Sequence, residues 1–139
     1  MQAVPFLLPE KMKKPSKSKL IKKCDVIFSL IVRSLGYCQW CGRSDIQLNN
    51  HHVMGRAIMI LRYDKRNCCC LCVNCHEFSK DSVKNNPIKF LEWFKSVRPE
   101  DYDYIKSKSE IIAHYTVEDL QQIHQNLKKV WNEIQNRAD

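Results

Sequence analysis

The apolar positions of this chain fall into short periodic runs separated by polar stretches. In Asp25–Leu35, the residues Val26, Ile27, Leu30 and Ile31 recur at helical spacing, which predicts an amphipathic helix stopped by Gly36. Ile46–Val53 reads as a short strand ending at two adjacent histidines, and Asn67–Leu71 as a second strand. Met54–Lys65 between them reads as a loop or hairpin tip, and a helix is expected to start within Cys72–His76. Asn86-Pro87 is a helix start, with asparagine as cap and proline at the first helical position. Ile88, Leu91 and Phe94, with Phe90 and Trp93 beside them, form its apolar stripe, and Arg98-Pro99 should end it. Residues 100–113 hold a weaker helical segment. Thr116 begins the last helix, with Asp119 in the reciprocal capping position. Leu120, Ile123, Leu127, Val130, Trp131 and Ile134 then keep a 3.6-residue period, a stripe that either packs on the domain or forms a homodimer seam.

Upstream, residues 1–23 carry seven lysines against the single acid Glu10, and Pro5, Pro9 and Pro15 oppose helix. They read as a flexible basic arm, either a phosphate contact or a solvated tail. The expected organisation is this arm, a core over residues 24–85 with its leading helix, and a helical extension over residues 86–139. The fold class is small α+β.

Composition sharpens this picture in the middle of the chain. Overall 44% of residues are hydrophobic, yet residues 38–76 combine most of the cysteines with few large aliphatic side chains. A segment that short buries too little apolar surface to hold itself together and needs a staple. The net charge of +8 and pI near 9.1 favour a polyanionic partner, nucleic acid or an acidic membrane surface. No run approaches the roughly 20 apolar residues of a membrane span; the longest, Val26–Val32, is broken by Ser29. Phe6–Leu8 precede the lysines, the reverse of a secretory signal, so a cytoplasmic protein with reduced thiols is expected.

The staple is legible as Cys38-x-x-Cys41 and Cys72-x-x-Cys75, two CxxC pairs 30 residues apart. Each such turn offers two thiolates on one side, and two turns complete a closed tetrahedral zinc site of structural type. Cys69-x-x-Cys72 is a competing pair; Cys72 and Cys75 are preferred because His76 follows them directly. Cys24, Cys68, Cys69 and Cys70 then read as small buried residues.

Interleaved with these ligands stand His51-His52, then Asn67 at 15 residues beyond His52, then His76 nine residues further on. The stretch Cys38–His76 resembles the HNH (ββα-metal, His-Me finger) endonucleases. The run Phe28–Arg33 before Cys38-Gln-Trp-Cys41-Gly42, His52-Val-Met-Gly55-Arg56 and Arg62-Tyr-Asp64 looks like the phage NinG (Rap) recombination-nuclease branch. Asn86-Pro87…Glu92-Trp93-Phe94 and Tyr115-Thr116…Glu118-Asp119-Leu120 look like the tail of those relatives. The resemblance implies a zinc-stapled ββα-metal core with flanking helices, acting on DNA in a bacterial or phage-infected host cytoplasm. It implies that His52 is the general base, that Asn67 orients it, and that His76 binds a catalytic Mg²⁺ or Mn²⁺. His51 stands where the family commonly has an aspartate ligand. It is a second metal ligand if the strand bends there, and structural if it does not, because adjacent strand residues face opposite ways.

These residue types suit phosphodiester hydrolysis: a neutral histidine takes a proton from water, and a divalent ion stabilises the phosphorane and the departing oxygen. Arg56, Arg62, Lys65 and Arg66 are the candidate phosphate contacts. The alternative is a zinc-dependent nucleic-acid-binding module without catalysis, which would not need His52, Asn67 and His76 in register. A structural zinc scaffold, in turn, would not need the positive charge.

Overall fold

The computed structural model describes residues 15–137 and shows a small α+β architecture: an antiparallel two-stranded hairpin enclosed by helices. Helix α1 spans Lys17–Arg33, begun by Ser16, whose Oγ accepts from the Lys19 amide at 3.2 Å. It starts eight residues before the expected Asp25, so residues 17–23 are helical turns and not part of a flexible arm. The reason lies in Leu20 and Cys24, which extend the i, i+4 stripe of Phe28 and Val32 backwards among the lysines. The remainder of the expected arm, up to residue 14, lies outside the described residues. Gly36, at a φ of +86°, turns the chain out of α1 and its amide bonds back to Arg33 O.

Strand β1, Leu48–His52, pairs with β2, Cys68–Cys72, with Leu48 opposite Cys72 and His52 opposite Cys68. Every residue of β2 is buried. Cys68 and Cys70 pack with Phe28 and Val32 of α1, whereas Cys69 and Leu71 join Phe90, Phe94 and Ile105. A strand covered on both faces reads as an unbroken apolar run, and cysteine supplies small apolar side chains where helices approach from both sides.

The connection between the strands contains a four-residue helix, α2 (Met59–Arg62), and a 3₁₀ turn at Lys65–Asn67. After β2 the chain makes only a five-residue π-helical turn, Asn74–Phe78. The helix expected from Cys72–His76 is therefore a single turn.

Helix α3, Pro87–Val97, is capped by Asn86 Oδ1 and stops before Arg98-Pro99 as expected. Helix α4 is Pro99–Lys108. Between them Arg98 donates to Cys68 O at 2.8 Å and to Asp101 at 2.7 Å, tying both helices to the start of β2. Helix α5, Val117–Arg137, carries the reciprocal cap: Thr116 Oγ1 accepts from the Asp119 amide at 3.0 Å and Asp119 accepts from the Thr116 amide at 2.9 Å. α5 packs along α1, with Leu120 fully buried and Leu127 against the Phe28 cluster, while Val130 is 39% exposed. No helix among the described residues is long and apolar enough to cross a membrane.

Candidate metal centre and histidine cavity

The hairpin brings the two CxxC turns together. The sulfurs of Cys38, Cys41, Cys72 and Cys75 all lie within 4.8 Å of one another, and Cys41 Sγ is 3.7 Å from Cys72 Sγ. A tetrahedral zinc with bonds near 2.3 Å has sulfur–sulfur edges of about 3.8 Å, so the cluster fits that ion. Local structure builds each half in the same way: the Cys41 amide donates to Cys38 Sγ and the Cys75 amide to Cys72 Sγ, both at 3.4 Å. Gly42, at a φ of +83°, closes the first turn. Burial works against ionisation of Cys38, but backbone amides outweigh it and bring its thiol down to about 7.

The competing Cys69 is not in this cluster. It faces the α3 side with Arg98 Nη1 at 3.4 Å, because strand alternation turns it away. Burial pushes its thiol up to about 12 and that of Cys24 up to about 11, so both behave as inert small side chains.

The histidines divide across the hairpin. His51 and His52 are in continuous register opposite Cys69 and Cys68, so no bulge redirects either one. The His52 ring lies 6.0 Å from Phe28 of α1. The His51 ring lies edge-on to Phe90 at 4.9 Å and 5.2 Å from the His76 ring. All three histidines nevertheless line one cavity of about 400 Å³, together with Asp25, Ser29, Asn50, Gly55 and Arg56.

Each ring has a distinct hydrogen-bonding state. His52 Nε2 is 2.8 Å from Arg62 O, and a carbonyl only accepts, so Nε2 bears the proton and Nδ1 keeps the lone pair. Burial lowers the pKa of His52 below the ordinary histidine value, with the Arg62 carbonyl opposing, and burial pushes His51 down to about 4. Burial lowers His76 as well. The cavity thus holds neutral imidazoles at neutral pH, the form that takes protons and binds metals.

The strand does not bend, so the expected condition for His51 to join the His52 site is not met. The His51 ring lies instead beside His76, at the spacing of two ligands to a common ion. Two imidazoles on one metal, with bonds near 2.1 Å, place their centroids about 5 Å apart. Asn50 Oδ1 is buried without a hydrogen-bond partner, and because Asn50 directly precedes His51 in the unbent strand, its side chain projects from the face that carries His52. Asn49 Nδ2 donates to His76 Nδ1 at 3.0 Å, so the proton of the neutral ring sits on Nε2. A metal at Nε2 requires the Asn49 amide to turn over so that its oxygen accepts from Nδ1–H. Two imidazoles leave further positions for water or phosphate, as in an open site.

Asn67 is placed differently from the sequence expectation. It is fully buried; its Oδ1 accepts from the Met54 amide at 2.7 Å, and its Nδ2 donates to Met54 O at 2.9 Å and Leu61 O at 3.2 Å. It does not bond to His52. It clips both ends of the loop whose next residue, Arg62, holds His52, so any orienting effect is transmitted through the backbone.

The four basic residues also separate. Arg56 lines the histidine cavity with its side chain 62% exposed. Arg62, only 14% exposed, grips both oxygens of Asp25 at 2.8 and 2.6 Å and donates to Arg56 O at 2.9 Å. Its fork is fully engaged inside the protein, which corrects its expected role as a phosphate contact. Lys65 and Arg66 sit away from this cavity in the 3₁₀ turn, and Arg66 pairs with Asp64 while lying over Tyr104.

Sequence reasoning missed Asp25, Ser29 and Asn50 as cavity residues. Asn49-Asn50-His51-His52 did carry a signal, since four polar residues in succession are unfavourable in a strand pressed between helices. Comparison with protein-family models, with curated proteins and with solved structures gives no match to this chain.

Proposed function

We propose that this protein is a metal-dependent DNA endonuclease with a zinc-stapled ββα-metal (HNH) core. One observation carries the reading above the rest: His52 is anchored through Nε2, which leaves Nδ1 basic, and His52 lines a cavity that also holds the neutral His51–His76 pair.

In this reading His52 Nδ1 takes a proton from a water molecule as the water oxygen bonds to phosphorus. The bond from phosphorus to the 3′ oxygen then breaks, and a solvent proton neutralises the departing oxygen. Arg56 faces the non-bridging phosphate oxygens. His51 and His76 would hold the divalent ion, which when bound would stabilise charge on the phosphate and leaving oxygen. Imidazole donors suit Mn²⁺ and later transition ions better than Mg²⁺. The four-cysteine zinc has no open position and serves the fold alone.

The test is cleavage of supercoiled plasmid and branched DNA with added Mg²⁺ or Mn²⁺. His52→Ala should cut roughly 10²- to 10⁴-fold more slowly while keeping its zinc. His76→Ala should lose activity that excess metal partly restores. A protonated His52 cannot accept a proton, so the parent's rate should rise with pH along a limb below the ordinary histidine range, because burial lowers His52. Equal cutting by His52→Ala and the parent overturns the assignment of the base. A parent that cuts no DNA with any divalent ion leaves the non-catalytic binding module.

A further inference from the structure

We infer that a groove adjoining the histidine cavity binds the base of an unpaired DNA nucleotide, with Phe78 as its stacking platform. The groove, about 580 Å³, is lined by Arg33, Gln47, Asn49, Asn50, His76 and Phe78 among others. It shares Ser29, Asn50 and His76 with the histidine cavity, so the two form one continuous surface depression.

Phe78 is 69% exposed, two residues beyond His76 in the π-helical turn. The rest of the groove mixes Leu48 and Val73 with amides and charged groups, and so lacks the contiguous apolar area that a protein-docking face requires. An aromatic face beside amide edges and an arginine is the chemistry of a nucleobase joined to phosphate: stacking on the ring, hydrogen bonds to base edges, charge on the backbone. Arg33 bonds to Ser29 Oγ at 3.0 Å and forms no ion pair among the described residues, which leaves its charge for phosphate. Glu77 also faces the groove; it repels phosphate from the Phe78 end and can accept from an exocyclic amino group. Arg33 and Arg56 therefore mark the strand path, and Phe78 marks the base position. In a regular duplex both faces of each base are covered by stacking, so only an unstacked nucleotide can meet the ring.

The inference rests on the nuclease reading for the identity of the polymer, but its test reads binding and not cleavage. In a His52→Ala background without added divalent ion, fluorescence anisotropy would compare a labelled duplex with the same duplex carrying a short thymidine flap. Phe78→Ala should weaken flap binding about tenfold and leave duplex binding unchanged, and Phe78→Trp should restore it. An abasic spacer at the unpaired position should make proteins with and without the Phe78→Ala substitution bind alike. Three results would overturn the inference: unchanged flap affinity in Phe78→Ala, an equal loss on flap and duplex, or a shift in sedimentation that makes Phe78 a contact between copies of the chain. If the protein never cuts DNA but the Phe78 dependence holds, the subsite survives and the nuclease reading fails. If it cuts and Phe78 is silent, only the subsite fails.

Discussion

Arg62 acts from both ends of one residue. Its guanidinium holds Asp25 of α1 in a two-point pair, and its carbonyl accepts a hydrogen bond from His52 Nε2. The side chain thereby fixes the position of the carbonyl that sets the histidine tautomer. Breaking this partly buried pair leaves Asp25 with the longer 3.7 Å contact to Arg56 and frees the turn. Arg62 is therefore a positioning residue that works through His52, and its effect should vanish when His52 is gone. Arg62→Ala should lower kcat about tenfold or more with little change in KM for DNA. The double variant Arg62→Ala, His52→Ala should be no slower than His52→Ala alone, since residues acting as a unit are non-additive. Additive losses would show that Arg62 acts on the substrate directly. Asn67 belongs to the same assembly, because its amide holds Met54 and Leu61 on either side of the loop.

At the scale of elements, β2 joins the staple to the histidine cavity. Its last residue, Cys72, lies in the sulfur cluster, and its first, Cys68, stands opposite His52. The alternation of a strand separates the roles of its cysteines: Cys72 meets the other turn, while Cys68, Cys69 and Cys70 fill space under the helices. Protein purified without chelator should contain one zinc per chain. Cys41→Ser should lose that zinc and unfold the hairpin, because metal binding contributes folding free energy. Cys68→Ala should keep the zinc and lose about 1 kcal/mol of stability. Metal analysis with thermal unfolding of both variants decides the matter: zinc retained in Cys41→Ser, or absent from Cys68→Ala, would refute the ligand assignment.

For the whole molecule, the net charge of +8 is partly organised by α1. Lys17, Lys19, Lys22 and Lys23 are exposed on its N-terminal turns, while Asp25 and Ser29 of the same helix reach the cavity. Fluorescence-detected DNA binding should weaken as salt rises, since lysines that neutralise phosphates release counterions. Replacing these four lysines by alanine should flatten the salt slope, by about 0.9 for each phosphate that is no longer neutralised. Alanine preserves the helix, whereas truncation to residue 23 would also remove Leu20, which is buried at 3% exposure. An unchanged slope would show that α1 does not touch the polymer.

Local sequence determined whatever depends on near neighbours. The CxxC spacing specified the two halves of the sulfur cluster, and Asn86-Pro87 and Thr116–Asp119 specified helix starts. The 3.6-residue stripes located the covered faces only in part, since Val26 of α1 and Ile88 of α3 are 62% and 70% exposed while Phe28, Phe90 and Phe94 are buried. The same local logic placed the start of α1 too late, because exposed lysines masked Leu20 and Cys24. Tertiary structure alone decided the couplings between distant residues. Asp25 meets Arg62 across 37 positions, and Asn49 meets His76 across 27. It also decided that Arg62 is turned inward, that Asn67 supports a loop and not a ring, and that His51 pairs with His76 while His52 faces α1. The physical reason is that hydrogen bonds and burial depend on which surfaces the fold brings together, and spacing along a chain carries that information only within one turn or one strand.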